Sequence, residues 1–224
     1  MIYGIVGTIS QQRNIAIPRP SDCGNGKTNL MVYLAYQEFI QKGRKIITNF
    51  HTKYQGGNFG HSWSEYRTAQ EIFENFFAEE DEDALICITE ISGILHSAAR
   101  ESKTIKWVEN RLNQRRKLGY DLIWDSQRWM SGDKIIRDKT DIIYVPIKFH
   151  CVFDMSENDY VPTHQCLADN CDEKHLILVY QDVPLPPPEE ELIPKVCLQS
   201  WVIGQLYDTK ERIDQTLHVP KSQA

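Results

Sequence analysis

The sequence predicts an α/β fold with a mostly parallel sheet flanked by helices. Three observations carry that prediction. Short apolar runs recur at residues 2–9, 45–50, 84–89, 120–125 and 141–149. Stretches with apolar residues at helical spacing lie between them. A glycine-bearing turn at residues 24–26 opens the first of those helices. Parallel neighbours need a crossover connection, usually a helix, so strands that alternate with helices read as parallel units.

Each element follows in order. Residues 2–9 form a strand with glycines at 4 and 7, and residues 14–18 a second short strand. Two prolines and two glycines mark residues 19–28 as a loop. Leu30, Leu34 and Ile40 then recur on one helical face until Gly43 ends the run. Residues 45–50 are a β-branched strand, followed by a polar, glycine-rich stretch through residue 60. Ser64 precedes a helix whose apolar face is Ile72, Phe73, Phe76 and Phe77, and the acidic run 79–83 must be solvated. Residues 84–89 read ALICIT, an unbroken apolar run suited to a central parallel strand, with Glu90 at its end. Residues 101–118 form an amphipathic helix ending at Gly119, and residues 120–125 (YDLIWD) are the next strand. Residues 131–139 make a short helix or turn, and residues 141–149 a strand interrupted by Pro146. A polar Cys/His insertion follows at 151–174, and residues 175–183 add one more core strand. Prolines 184, 186, 187 and 188 with three glutamates mark an extended linker. The tail packs on the core and offers one short strand at 201–207. Residues 1–150 are thus the core, and residues 184–224 the linker and tail.

Composition narrows the function classes. The chain has 224 residues, 41% hydrophobic and 25% charged, which excludes wholesale disorder. No apolar run approaches the roughly 20 residues needed to cross a bilayer, and no signal-like stretch opens the chain. The expectation is a soluble cytoplasmic protein with no transmembrane segment of its own, in the host cytoplasm if the chain is viral. The net charge of −6 is carried by residues 151–224, while residues 1–150 are slightly basic. The first part can meet a polyanion and the tail cannot.

The sharpest chemical signal is Gly24-Asn25-Gly26-Lys27-Thr28, placed after an apolar strand and at a helix start. That is the context of a phosphate-binding loop. Glycines allow the tight turn that points backbone amides at phosphate, and the helix N-terminus adds a positive dipole end. Lys27 is positioned for β- and γ-phosphates, and the Thr28 hydroxyl for Mg2+. The usual first glycine of the pattern is here Ser21. Thr89 and Glu90 end the ALICIT strand. A metal-organising aspartate often stands where Thr89 is, so Thr89 can only hydrogen-bond a metal-bound water, and Glu90 is the candidate base for attack on a γ-phosphate. Ser126, Gln127 and Arg128 end the YDLIWD strand. The Gln127 amide can donate to a γ-phosphate oxygen and accept from a water, which suits a sensor; Asn49 is a weaker neighbour. Arg137, with Arg128 as rival, can reach a γ-phosphate in an adjacent subunit as an arginine finger.

Two further features stand apart. Residues 100–117 carry seven basic side chains, including Arg111 and Arg115 on one helical face, which can follow DNA phosphates. Cys151, Cys166, Cys171 and His175, with His150 and His164 nearby, offer four soft ligands for a structural Zn2+. Buried free cysteines or a Cys166–Cys171 disulfide are the alternatives.

Together the GNGKT loop, the ICITE strand end, the WDSQR sensor and the IIRDKTDIIY segment resemble the FtsK–HerA superfamily of DNA-pumping ATPases. The size and the late LYDT make it similar to viral packaging ATPases and zonular-occludens-toxin-like morphogenesis proteins. That resemblance implies a RecA-like P-loop NTPase core binding ATP and Mg2+. It implies a homo-oligomeric ring, commonly a hexamer, that moves double- or single-stranded DNA and works with a portal or membrane assembly. Glu90 matches the catalytic glutamate, Gln127 the sensor and Arg137 the trans-acting arginine. The competing expectations are another P-loop enzyme, such as a nucleotide kinase, and a zinc-bearing structural protein with a vestigial loop.

Overall fold

Local sequence sets the elements of the computed structural model, which describes residues 1–8, 26–53, 62–74, 83–98, 102–114, 119–128, 134–166, 168, 171–182 and 194–207. The apolar runs become β1 (Ile2–Thr8), β2 (Ile46–Thr48), β4 (Leu85–Ile88), β5 (Asp121–Arg128), β6 (Ile142–Asp154) and β8 (His175–Asp182). Three more strands join them: β3 (Glu65–Tyr66), β7 (Asp159–Gln165) and β9 (Pro194–Gln199). The helices are α1 (Lys27–Lys42), α2 (Ala69–Glu74), α3 (Ile91–Ala98), α4 (Ser102–Gln114), α5 (Lys134–Arg137) and α6 (Ser200–Ile203).

The nine strands of the described residues form one sheet in the order β3-β2-β4-β5-β1-β6-β8-β9, with β7 paired to the outer part of β6. From β3 to β6 every pairing is parallel; β6–β7, β6–β8 and β8–β9 are antiparallel. Strand side chains alternate between faces, and this splits the core in two. Ile5, Leu85, Cys87, Ile123 and Ile177 pack under α1 with Leu30, Met31 and Ala35. Val6, Ile86, Ile88, Leu122 and Trp124 face the other side with Ile72, Phe73, Trp107, Val108 and Ile136. Trp124 is fully buried and its indole N–H donates to Thr140 Oγ1 at 3.0 Å. Burying a side chain of that size removes about 200 Å2 from water, of order 5 kcal/mol at about 25 cal/mol per Å2.

Several expectations are revised. The YDLIWD strand does not stop at Asp125: β5 runs to Arg128 because β1 pairs with it throughout, Ile5 opposite Asp125 and Thr8 opposite Arg128. Ser126, Gln127 and Arg128 therefore lie within the strand. Pro146 does not interrupt β6, since it falls beyond Tyr144, the last β6 residue registered with β1. Residues 151–174 do not break the sheet at once; β6 continues to Asp154 and β7 returns beside it as a hairpin. The tail strand expected at 201–207 is replaced by β9 at Pro194–Gln199, paired to β8, and residues 201–203 are helical. In β9 it is Leu198 that is buried, against the α1 side of the sheet. Helix α3 is an addition to the expected elements. The strand expected at 14–18, Phe76, Phe77, the polar stretch 54–61, Arg115 and the proline linker lie outside the described residues.

Candidate functional site

Face parity decides what meets at the C-terminal edge of the parallel strands. On β4, Leu85 and Cys87 point under α1, so Thr89, two residues on, points the same way. On β5, Ile123 points under α1, and Asp125 follows it. The two strands are adjacent, with Ile88 opposite Trp124, so Thr89 and Asp125 become neighbours beneath the start of α1.

Asp125 is 1% exposed and is the centre of the site. Its Oδ2 accepts from Thr89 Oγ1 at 2.9 Å and from Thr28 Oγ1 at 3.4 Å, and its Oδ1 accepts from the Glu90 amide at 2.7 Å. Burial pushes its pKa up to about 6, opposed by the Lys27 ammonium and by the hydrogen bonds from Glu90 and Thr89. Asn49, 2% exposed, locks the β4 end: its Nδ2 donates to Thr89 O at 3.1 Å, and its Oδ1 accepts from Thr89 N at 2.8 Å. Glu90 itself has φ +58, a left-handed conformation that costs a non-glycine residue of order 1 kcal/mol. It turns the Glu90 amide onto Asp125 and leaves its side chain half-buried.

The start of α1 turns on a glycine. Gly26 is the N-cap at φ +82, with no side-chain cap and no acidic residue in the first turn. A Cβ at Gly26 would sit 2.3 Å from Ile177 Cδ1, so both conformation and packing demand glycine. Lys27 is 9% exposed and Thr28 lies beside it. Below them Tyr207 donates to Asn29 Oδ1 at 2.5 Å; burial and the Asp125 charge hold its hydroxyl protonated well above the usual range.

The sequence-derived residues thus divide. Lys27, Thr28, Thr89, Glu90 and Asn49 converge on Asp125. Gln127 shares the face parity of Asp125 and is exposed, one strand residue beyond Ser126. Arg137 ends α5, whose Ile136 belongs to the core on the opposite side of the sheet. Ser21, Gly24 and Asn25 lie outside the described residues, and so does the side chain of Arg128. On the basic helix, Arg111 stacks over Trp107 at 5.7 Å and is half-buried. Sequence reading missed Asp125. Its signal was an acid within an apolar strand, two residues after Ile123 and hence on the α1 face.

A second cluster sits at the far end of the antiparallel strands. His150, Cys166, Cys171 and His175 bring one ligand atom each within 4.8 Å of one another, an arrangement able to coordinate a metal. Cys151, expected among the ligands, is not in this group; its thiol donates to Lys174 O at 3.3 Å, and His150 takes its place. The reason is strand alternation. His150 is directly opposite His175 in the β6–β8 ladder, and its neighbour Cys151 points to the other face.

Among the described residues no helix is long and apolar enough to cross a membrane. No curated protein sequence matches the chain. Among solved structures, the N-terminal domain of zonular occludens toxin from Neisseria meningitidis is 17% identical, covers 92% of this chain and 98% of its own, and superposes with a TM-score of 0.51. B204, the DNA-packaging ATPase from Sulfolobus Turreted Icosahedral Virus, is 18% identical over 70% of this chain and 78% of its own, with a TM-score of 0.43. The genome packaging NTPase B204 from Sulfolobus turreted icosahedral virus 2, in complex with ATP-gammaS, is 15% identical over 83% and 98%, with a TM-score of 0.44. The zonular occludens toxin (Zot) family model matches residues 21–190, and the chain belongs to that family.

Proposed function

We propose that this chain is a RecA-like P-loop NTPase that binds ATP with Mg2+ at the start of α1 and hydrolyses it. One observation supports this above the rest: a helix start capped by Gly26 and bearing Lys27 and Thr28 faces a buried carboxylate, Asp125, that also engages Thr89 and the Glu90 amide. A helix N-terminus and a lysine suit a triphosphate. A hydroxyl beside a buried carboxylate suits a hard divalent cation.

In this reading the amides of Gly24, Asn25 and Gly26, with Ser21 at the loop entry, cradle the phosphates, and Lys27 draws on the β- and γ-oxygens. Thr28 and Asp125 would hold Mg2+, with Thr89 keeping the Asp125 carboxylate oriented. Mg2+ supplies neutralisation of phosphate charge. Glu90 orients the attacking water and takes its proton, and Gln127 reads the γ-phosphate. Arg137 or Arg128 of a neighbouring subunit completes the site.

The finer proposal couples hydrolysis to DNA translocation by a ring of subunits, in viral genome packaging or virion morphogenesis. The sequence motifs that resemble FtsK–HerA motors support it. Phosphate release measured with and without double-stranded DNA tests both levels. DNA-stimulated hydrolysis that Glu90→Gln abolishes, and that Lys27→Ala abolishes together with ATP binding, is the expected result. Hydrolysis or phosphoryl transfer indifferent to DNA would favour another P-loop enzyme, such as a nucleotide kinase. Absence of hydrolysis in the intact chain would leave the loop vestigial and refute the ATPase.

A further inference from the structure

A buried imidazole nitrogen with nothing to bond is the starting point. His175 is 2% exposed, and its Nε2 has no hydrogen-bond partner. The Glu173 backbone hydrogen-bonds the ring, so Nε2 is the nitrogen left for coordination. An unsatisfied polar atom in the interior is costly and marks a missing partner. Three other soft donors already stand around it.

His150 is the second. Its Nδ1 pairs with Glu173 Oε2 at 2.6 Å, so its Nε2 is the nitrogen left for coordination. Carboxylate on one imidazole nitrogen and metal on the other is the usual outer-shell arrangement of zinc histidines. Cys166, 2% exposed, follows β7 and is tied to β6 by its amide, which donates to Lys148 O at 2.9 Å. Cys171 is half-buried in the segment leading to β8, and both thiols are free.

We infer that His150, Cys166, Cys171 and His175 close on a single structural Zn2+. Tetrahedral zinc with bonds of about 2.3 Å to sulfur and about 2.0–2.1 Å to nitrogen places its ligands about 3.3–3.8 Å apart. The four atoms here lie within 4.8 Å of one another, so a contraction of about 1 Å closes the shell. Two thiolates balance the charge of the ion. Four protein ligands leave no open position, which makes the site structural and not catalytic. The metal ties together β6, the end of β7 and the start of β8. Two residues along β8, Ile177 presses on Gly26, so the zinc-bound corner braces the strand beneath the candidate nucleotide site. The inference stands on its own ligands and does not depend on ATP binding.

Metal analysis of the intact chain tests it. One zinc per chain is expected, released when an organic mercurial titrates the thiols in the presence of a zinc indicator. Cobalt replacement should give the visible bands of a tetrahedral ion and a thiolate charge-transfer band in the near ultraviolet. Cys171→Ser should lose the metal, and Glu173→Gln should weaken chelator-measured affinity by about 10- to 100-fold. Cys151→Ser and His164→Ala should leave both unchanged. If Cys166→Ser or Cys171→Ser fails to fold, the mercurial titration of the intact chain still decides the matter. Folded protein that neither contains nor takes up zinc, a Cys166–Cys171 disulfide in protein purified under reducing conditions, or loss of metal in Cys151→Ser would each overturn the assignment.

Discussion

Replacing Asp125 by asparagine should make the folded protein more stable at neutral pH while it removes turnover. Burial raises the Asp125 pKa from 3.8 to about 6. A raised acid pKa means that the native state holds the proton more tightly than the unfolded chain. Below pH 3.8 the group is protonated in both states and has no effect; above pH 6 the native state bears the full cost of an ionised buried carboxylate. Stability is therefore lost as pH rises through that window, by roughly 3 kcal/mol in all. About 1 kcal/mol of this is already lost by about pH 4.5, leaving about 2 kcal/mol between about pH 4.5 and about pH 8. The substituted asparagine would not titrate. Its amide oxygen can still accept from the Glu90 N–H, and its NH2 can donate to a rotated Thr89 hydroxyl, at a cost of about 1 kcal/mol for weaker, neutral hydrogen bonds. The variant should thus be near wild type or slightly weaker at about pH 4.5 and about 1–2 kcal/mol stronger at about pH 8. Urea unfolding without nucleotide, at three pH values spanning that range, measures this directly. For a chain of this length the melting-temperature gap should widen by about 4–8 °C over the same range. A gap that stays constant with pH would show that Asp125 does not titrate in this window, and the electrostatic account of the site would be wrong.

Two other predictions concern the phosphate-loop candidate. Gly26→Ala must fit a methyl 2.3 Å from Ile177 Cδ1 at φ +82, and urea unfolding should show a loss of about 1–3 kcal/mol; Ile177→Ala in the same chain should recover part of it. The first position of the phosphate-loop pattern, five residues before Gly26, is Ser21 where glycine is usual. Ser21→Gly should therefore bind ATP at least as tightly as the intact chain in calorimetry. Weaker binding in that folded variant would place the first loop position elsewhere.

Much of this fold is legible in the sequence because its signals are local. Continuous apolar runs such as ALICIT suit a strand buried on both faces, and Gly43 closes α1 where the periodicity ends. The misreadings come from partners the linear order hides. An acid such as Asp125 resembles a strand end, yet β1 carries the pairing of β5 on to Arg128. The WVIGQLY stretch reads as a strand by composition, but β9 already occupies the edge of β8, and Ser200 turns the chain by donating from its hydroxyl to His175 O. At the metal cluster, spacing along the chain favours Cys151, whereas cross-strand register selects His150.

The same distinction explains the apparent defect at Thr89. Read along one strand, a threonine where a carboxylate is wanted weakens the case for a divalent cation. Read across the sheet, the carboxylate is present one strand away: β4 and β5 are in register, Thr89 and Asp125 share a face, and the hydroxyl of one donates to the carboxylate of the other at 2.9 Å. What a cation at the start of α1 would meet is a charge at a point in space, and either strand can deliver it there. The position of Asn49, bonded to both backbone groups of Thr89, then has a purpose. It holds the strand end that aims the Thr89 hydroxyl and the Glu90 amide at Asp125, so the three strands β2, β4 and β5 fix one carboxylate in one orientation.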